Sequence, residues 1–263
     1  MADRDKIVAS KQGAVATLTF NNPERHNAMS LEMWRLATAE VANFGSDPDV
    51  RVVILQGAGG KAFVSGADIS KFENERATTQ AVTEYSDAVE GLCEALIHCE
   101  KPTVALIQGY CIGGGLNIAV CCDLRYSNQS ARFGIPAAKL GIGYPHASVR
   151  RLLHLIGPQF VREMLFTARH FDAPSALRMG LSNAILEDSE IETGVRQIAL
   201  QISENAPLSV HAAKAAVREL LKGAGEAGLA LCDREVKLCF DSGDYREGRR
   251  AFMEKRKPAF RGQ

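Results

Sequence analysis

Apolar and polar residues alternate over residues 14–20 (AVATLTF), with Ala16, Leu18 and Phe20 on one face and Val15, Thr17 and Thr19 on the other. A period of two predicts a strand, and the Asn21-Asn22-Pro23 turn ends it. From Ser30, a residue suited to an N-cap, Met33, Ala37, Val41 and Phe44 recur at helical spacing until Gly45 and Pro48 stop the run. The apolar run Val52-Val53-Ile54-Leu55 predicts a strand covered on both faces. Val82, Tyr85, Val89, Leu92 and Leu96 then step by three and four along a long helix that must end before Lys101-Pro102. Thr103–Ile107 reads as another buried strand, followed by a glycine turn and a short buried helix. Beyond residue 145 helical patterns dominate, over 146–156, 158–168, 174–179 after Asp172 as its start signal, 189–204, 207–222 and 226–240. Only Asn183–Leu186 is extended in that half. Alternating β and α units followed by a run of helices predict an α/β core (1–180) with a helical C-terminal region (181–263) and a soft boundary near Gly180.

Composition narrows the function classes. A length of 263 residues fits one large domain or one domain with an appendage, and 46% hydrophobic with 24% charged residues is the balance of a chain that buries a core. Thirty-one basic against 31 acidic residues leave no net charge, so neither nucleic acid nor an anionic membrane surface is an expected partner. Residues 102–122 carry no charge and are long enough to span a bilayer, but Pro102, Gln108, Asn117 and the triple glycine 113–115 interrupt any helix there. The seven cysteines contain no C-x-x-C pair and sit among apolar neighbours, which predicts reduced core thiols and no metal site. The opening MADRDKIVAS lacks the apolar run of a secretory signal, so a cytoplasmic location is expected.

Among short motifs, Gly57-Ala58-Gly59-Gly60-Lys61-Ala62 lacks the first glycine and the Ser/Thr of a phosphate loop and reads as a plain turn. No G-x-S-x-G, H-E-x-x-H or G-x-G-x-x-G occurs. Two other glycine segments carry more. Phe63-Val64-Ser65-Gly66-Ala67-Asp68-Ile69 follows a buried strand, and Gly113-Gly114-Gly115-Leu116-Asn117 lies between a strand and a helix. Each is a tight turn, or a place where backbone N–H groups at a strand end approach a ligand oxygen. A pair of such donors makes an oxyanion hole, and a helix beginning in the second segment would add its unsatisfied N–H groups.

The ordered set of these segments resembles the enoyl-CoA hydratase/isomerase (crotonase) superfamily over nearly the whole chain. The matching residues are Asn22-Pro23-Glu24-Arg25-His26-Asn27-Ala28-Met29, Lys61-Ala62-Phe63 with Ser65-Gly66-Ala67-Asp68-Ile69, and Lys101-Pro102-Thr103-Val104-Ala105 leading to Gly109 and Gly113-Gly114-Gly115. The match continues through Cys122-Asp123-Leu124-Arg125, Phe133-Gly134, Leu140-Gly141 and Glu247-Gly248 to Ala251-Phe252-Met253-Glu254-Lys255-Arg256. The resemblance implies a ClpP/crotonase-like ββα superhelix core, a homotrimer or hexamer held by C-terminal helices, and an acyl-CoA thioester substrate with no prosthetic group. It further implies that the N–H groups of Ala67 and Gly114 bind the thioester oxygen. Coenzyme A would run past Arg25, His26 and Ala28 and past Ser65, Asp68 and Ile69. Lys255 is a candidate for its phosphates, or else a solvated helix charge.

The pattern departs from the family at its acid–base positions. Hydratases of the family carry two glutamates where this chain has Asn117 and Ala137. An amide orients water without taking its proton and a methyl group does neither, so hydration is expected to be weak or absent. Tyr144 and His146, in the loop where other members place an acid, base or nucleophile, are candidate replacements; the alternatives are a packed ring and a helix start. Pro145 stands where dienoyl-CoA isomerases and chlorobenzoyl-CoA dehalogenases carry aspartate. A tyrosine at the Tyr144 position accompanies loss of both glutamates in methylmalonyl-CoA decarboxylases. Three readings stay open: a hydratase- or isomerase-like enzyme with an unusual acid–base set, a malonyl-type acyl-CoA decarboxylase, and an acyl-CoA-binding protein without chemistry.

Overall fold

The computed structural model describes residues 3–71 and 77–263. Its chain builds two sheets at once. Strands β1 (Ile7–Gln12), β2 (Val15–Phe20), β3 (Val52–Gly57), β5 (Thr103–Ile107), β7 (Leu124–Asn128) and β10 (Ala184–Leu186) form a six-stranded sheet in the order β1-β2-β3-β5-β7-β10. The β1–β2 pair is antiparallel and every other pair in that sheet is parallel. The short strands β4 (Ala62–Val64), β6 (Tyr110–Ile112), β8 (Arg132–Gly134) and β9 (Phe171–Asp172) form a second sheet in the order β4-β6-β8-β9.

Three successive passes share one plan: β3 then β4, β5 then β6, and β7 then β8 each place one strand in the large sheet and the next in the small one. Helix α2 (Thr79–His98) follows the first pass and α3 (Gly114–Cys121) the second. Because β4, β6 and β8 run parallel, their C-terminal ends lie on one edge of the molecule, and the glycine segments after β4 and β6 emerge there together.

Each face of the large sheet has its own cover. Ala16, Leu18, Phe20, Val53, Leu55, Ala105 and Ile107 point into a core shared with α1 (Leu31–Ser46), α2 and α3. Val15, Val52, Ile54, Val104 and Leu106 pack against Ile191, Val195 and Ala199 of α6 (Ile191–Ser203). Strand β3 is thus covered on both sides, as its unbroken apolar run predicts. Residues beyond 180 contribute β10 and α6 to this layered core; α7 (Pro207–Leu221), α8 (Glu226–Asp241) and α9 (Gly243–Glu254) follow, with α7 packed on α8 and α8 on α9.

The predicted caps and stops hold where local chemistry sets them. The Ser30 hydroxyl accepts from the Met33 N–H at 3.3 Å to start α1, and the Asp172 carboxylate accepts from the Ser175 N–H at 3.0 Å to start α5 (Ala173–Met179). Helix α4 (His146–Thr167) carries a break at Gly157, whose φ of 71° suits glycine, directly before Pro158. This break matches the two predicted helices 146–156 and 158–168. On α2, Tyr85, Leu92 and Leu96 are buried, whereas Val82 is exposed.

Several elements have no counterpart in the hydrophobic pattern. β1 is an edge strand with one buried residue, so its alternation is invisible. β4, β6 and β8 have three residues each, too few for a period. Helix α9 buries only Asp244 and Ala251. Residues 102–122 form β5, β6 and α3. Among the described residues no helix is long and apolar enough to cross a membrane. Cys93, Cys99, Cys111, Cys121 and Cys122 are buried.

Candidate active site

The two glycine segments meet at the edge where β4 and β6 end. A methyl group placed on Gly66 would lie 4.0 Å from the Gly114 nitrogen, and one on Gly114 would lie 3.9 Å from the Gly66 Cα. The approach depends on Gly115, where a side-chain carbon would come within 2.0 Å of the Val64 carbonyl oxygen. No other residue type lets α3 start this close to β4.

The first donor is set up by a one-residue parallel bridge. Met29 donates its N–H to the Gly66 carbonyl at 2.8 Å, and its carbonyl accepts from the Asp68 N–H at 2.9 Å. In a parallel ladder the residue between two such bonds turns its own N–H and C=O to the opposite side. Ala67 is that residue, and its N–H has no acceptor among the described residues. The second donor belongs to Gly114, the first residue of α3, whose N–H is one of the four that a helix start leaves unpaired. Both residues keep partial solvent access, while Gly66, Asp68 and Gly115 are buried. Two preorganised N–H groups from adjacent segments can polarise a carbonyl oxygen without any titrating group.

Around this pair the predicted residues divide. Arg25, His26 and Ala28 lie beside the Ser65–Ile69 segment: the Ser65 N–H donates to the His26 carbonyl at 3.1 Å and its hydroxyl to the Arg25 carbonyl at 3.4 Å. His26 sets its ring edge-on to Tyr110. Arg25 and Asp68 pair with each other at 3.1 Å, and Arg25 also donates to the Ser70 hydroxyl. The Ser70 hydroxyl and N–H both donate to Asp68, at 2.6 and 3.1 Å. Burial works against ionisation of Asp68, but Ser70 and Arg25 outweigh it and hold the carboxyl below the usual carboxylate range. Asp68 therefore organises its own loop, while Arg25 stays half-exposed and Ile69 exposed.

Asn117 is buried, and its amide donates to the Cys93 thiol of α2 at 3.1 Å. The contact of Cys93 with Cys121, together with burial, pushes the Cys93 thiol well above its ordinary range, so it stays protonated. Ala137 sits in the turn Pro136–Leu140 with its methyl against the core. Tyr144 packs its ring against the core, where burial and the neighbouring thiols push the phenol up and keep it protonated at neutral pH. His146 is exposed at the first position of α4, the helix-start alternative. Within one chain, Lys255 makes none of these contacts. It is exposed at the end of α9; Lys257 pairs with Glu204, and the Phe260 carbonyl accepts from Arg51, which precedes β3 at the end opposite Gly57.

Hydrophobic patterning assigned Tyr85 and Trp34 no role beyond packing or none at all, yet both adjoin the site. The Trp34 indole N–H donates to the Tyr85 hydroxyl at 2.8 Å, and that hydroxyl donates to the Met29 carbonyl at 3.3 Å. The available signal was the phenol itself, since a buried tyrosine must find its hydroxyl a partner.

A family model described as enoyl-CoA hydratase/isomerase matches residues 10–263. The chain is 34% identical to a short-chain-enoyl-CoA hydratase of Clostridium acetobutylicum, over 96% of each chain. It is 35% identical to an (E)-benzylidenesuccinyl-CoA hydratase of Thauera aromatica, over 94% of this chain and 96% of the relative. Its fold superposes on the crystal structure of an enoyl-CoA hydratase/carnithine racemase from Magnetospirillum magneticum with a TM-score of 0.93 and 36% identity, covering 98% of this chain and 96% of that one.

Proposed function

The chain belongs to the enoyl-CoA hydratase/isomerase family, and from that premise we propose that it polarises an acyl-CoA thioester between the N–H groups of Ala67 and Gly114. The observation that carries this reading is the Met29 bridge, which turns the Ala67 N–H away from the ladder, one residue after the glycine that meets the segment beginning α3. Enolate formation places negative charge on the thioester oxygen, and losing one preorganised donor of this kind costs about 2.7–4 kcal/mol of transition-state stabilisation. Coenzyme A runs along the Arg25–Ala28 turn and the Ser65–Ile69 segment. Lys255 reaches its phosphates only across a contact with a second copy, a homotrimer or hexamer built on the C-terminal helices.

The proposed chemistry is enolate chemistry without a carboxylate pair. At the hydratase positions the site holds an amide committed to Cys93 and a methyl group, so water addition is slow. The phenol of Tyr144, partly buried against the core, favours a second reaction: decarboxylation of a 2-carboxyacyl-CoA, which makes the enolate by losing CO2 and then needs only a proton donor.

Incubation of the protein with enoyl-, 2-carboxyacyl- and 3-hydroxyacyl-CoA esters, followed by mass spectrometry, tests both readings. Loss of CO2 that slows in Tyr144→Phe selects decarboxylation; gain of water identifies hydration. Either activity should fall at least a hundredfold in Ala67→Pro, which deletes the donor. Unchanged esters that still bind tightly would leave an acyl-CoA-binding protein.

A further inference from the structure

The two proposed donors stand on different segments, and one side-chain pair supports both. The Tyr85 hydroxyl, on α2, donates to the Met29 carbonyl, the same oxygen that accepts from the Asp68 N–H on the far side of Ala67. Tyr85 accepts in turn from the Trp34 indole N–H on α1. The rings meet edge to face with centroids 6.5 Å apart, and both are almost wholly buried. The Trp34 ring then forms the wall behind Gly114: a side-chain carbon on that glycine would lie 3.0 Å from Trp34 Cζ2 and 3.2 Å from Cη2.

We propose that Tyr85 and Trp34 are positioning residues for the oxyanion hole, linking the Met29 carbonyl beside Ala67 to the wall behind Gly114 so that the two N–H groups keep one mutual geometry. The inference rests on the proposed role of those N–H groups. The physical reason is geometric. Met29 and Ala67 make an isolated one-residue bridge, with no flanking ladder to resist rotation of the Met29 peptide. A second donor on the Met29 carbonyl fixes the Met29–Ser30 peptide, which holds the Asp68 N–H on one side of Ala67 while the Met29 N–H holds the Gly66 carbonyl on the other, so that the Gly66–Ala67 peptide carrying the Ala67 N–H keeps its direction. The indole, oriented by its bond to Tyr85, fixes how far α3 can slide toward Gly66. Neither side chain is assigned contact with substrate; both act through backbone.

Infrared difference spectroscopy of a thioester labelled with 13C at its carbonyl, bound to the folded protein, reads the donors directly. Butyryl-CoA serves as the probe because it lacks the reactive double bond. In the wild type the bound carbonyl band should move to lower frequency than in water. Tyr85→Phe keeps the ring and removes the hydroxyl; it should return the band part of the way toward its solution position, with affinity for free CoA unchanged. Any kcat found in the ester panel should fall roughly 3- to 10-fold, the effect expected of one neutral hydrogen bond. Trp34→Phe, which removes the N–H, should move the band in the same direction and supplies the reading if Tyr85→Phe does not fold. A wild-type shift retained in full by both variants, even with a lower melting temperature, would overturn the positioning role and leave the oxyanion reading standing. No shift in the wild type would overturn both.

Discussion

Asparagine in place of a glutamate removes a proton acceptor yet keeps a hydrogen-bonding group, and at Asn117 that group is already donated to a thiol 24 residues away. The Ala137 methyl supplies nothing polar at the other position. Restoring both carboxylates should therefore raise hydration more than any change to the donors can. The double substitution Asn117→Glu with Ala137→Glu is expected to increase crotonyl-CoA hydration on the order of 10²-fold or more, the usual worth of general acid–base catalysis. Loss of the conjugated enoyl absorbance measures it, and a rate equal to that of the wild type would show that some other group already performs the proton transfer. Asn117 and Ala137 were legible as departures from the family's pattern once the resemblance had been drawn. That Asn117 is tied to Cys93 was not, since Cys93 differs in no local way from the other thiols of the core.

At the scale of elements, the Arg25 turn and the loop after β4 are joined through Asp68. The folded Asp68 carboxyl is held below its ordinary value, so the stability it contributes is fully present above the unfolded value near ~3.9 and is lost as pH falls through the folded one. Asp68→Asn should destabilise the protein by roughly 1–2 kcal/mol at pH 6, a figure discounted because Arg25 is half-exposed. The gap between variant and wild type should close below about pH 4. Urea unfolding midpoints at pH 6 and pH 3 check this, and a gap that does not change with pH would assign the carboxylate no ionic role. The strands and helices around this junction were legible in proportion to their length: β2, β3, β5 and the long helices carry a full period, while β4, β6 and β8 each supply three residues and a hydrogen-bonding edge. The site stands on those short strands, so its chemistry was readable from glycine motifs before its architecture was.

For the whole molecule, the C-terminal helices leave large apolar side chains uncovered, with Phe252 83% exposed, Met253 81% and Leu220 62%. Exposed apolar side chains of this kind suit contacts between subunits. Sedimentation equilibrium is expected to return about three or six times the 28.5 kDa chain mass, and Phe252→Asp with Met253→Asp to shift it toward one. A wild-type chain that sediments as a monomer would remove the assembly through which Lys255 is proposed to meet coenzyme A.

The amino-acid sequence by itself determined the alternating α/β plan, the caps at Ser30 and Asp172, and the two glycine segments at strand ends. These depend on side-chain period, on hydrogen bonds spanning three residues and on conformations only glycine adopts, all of them short-range. Tertiary structure alone decided which groups those segments face. Met29 bridges Gly66 and Asp68, Arg25 is spent on Asp68, Tyr85 reaches Met29 from 56 residues away, and the chain beyond Lys255 is held at the far end of β3. Each of these pairings is fixed by strand register and helix packing, because a shift of one residue turns every side chain of a strand to its other face.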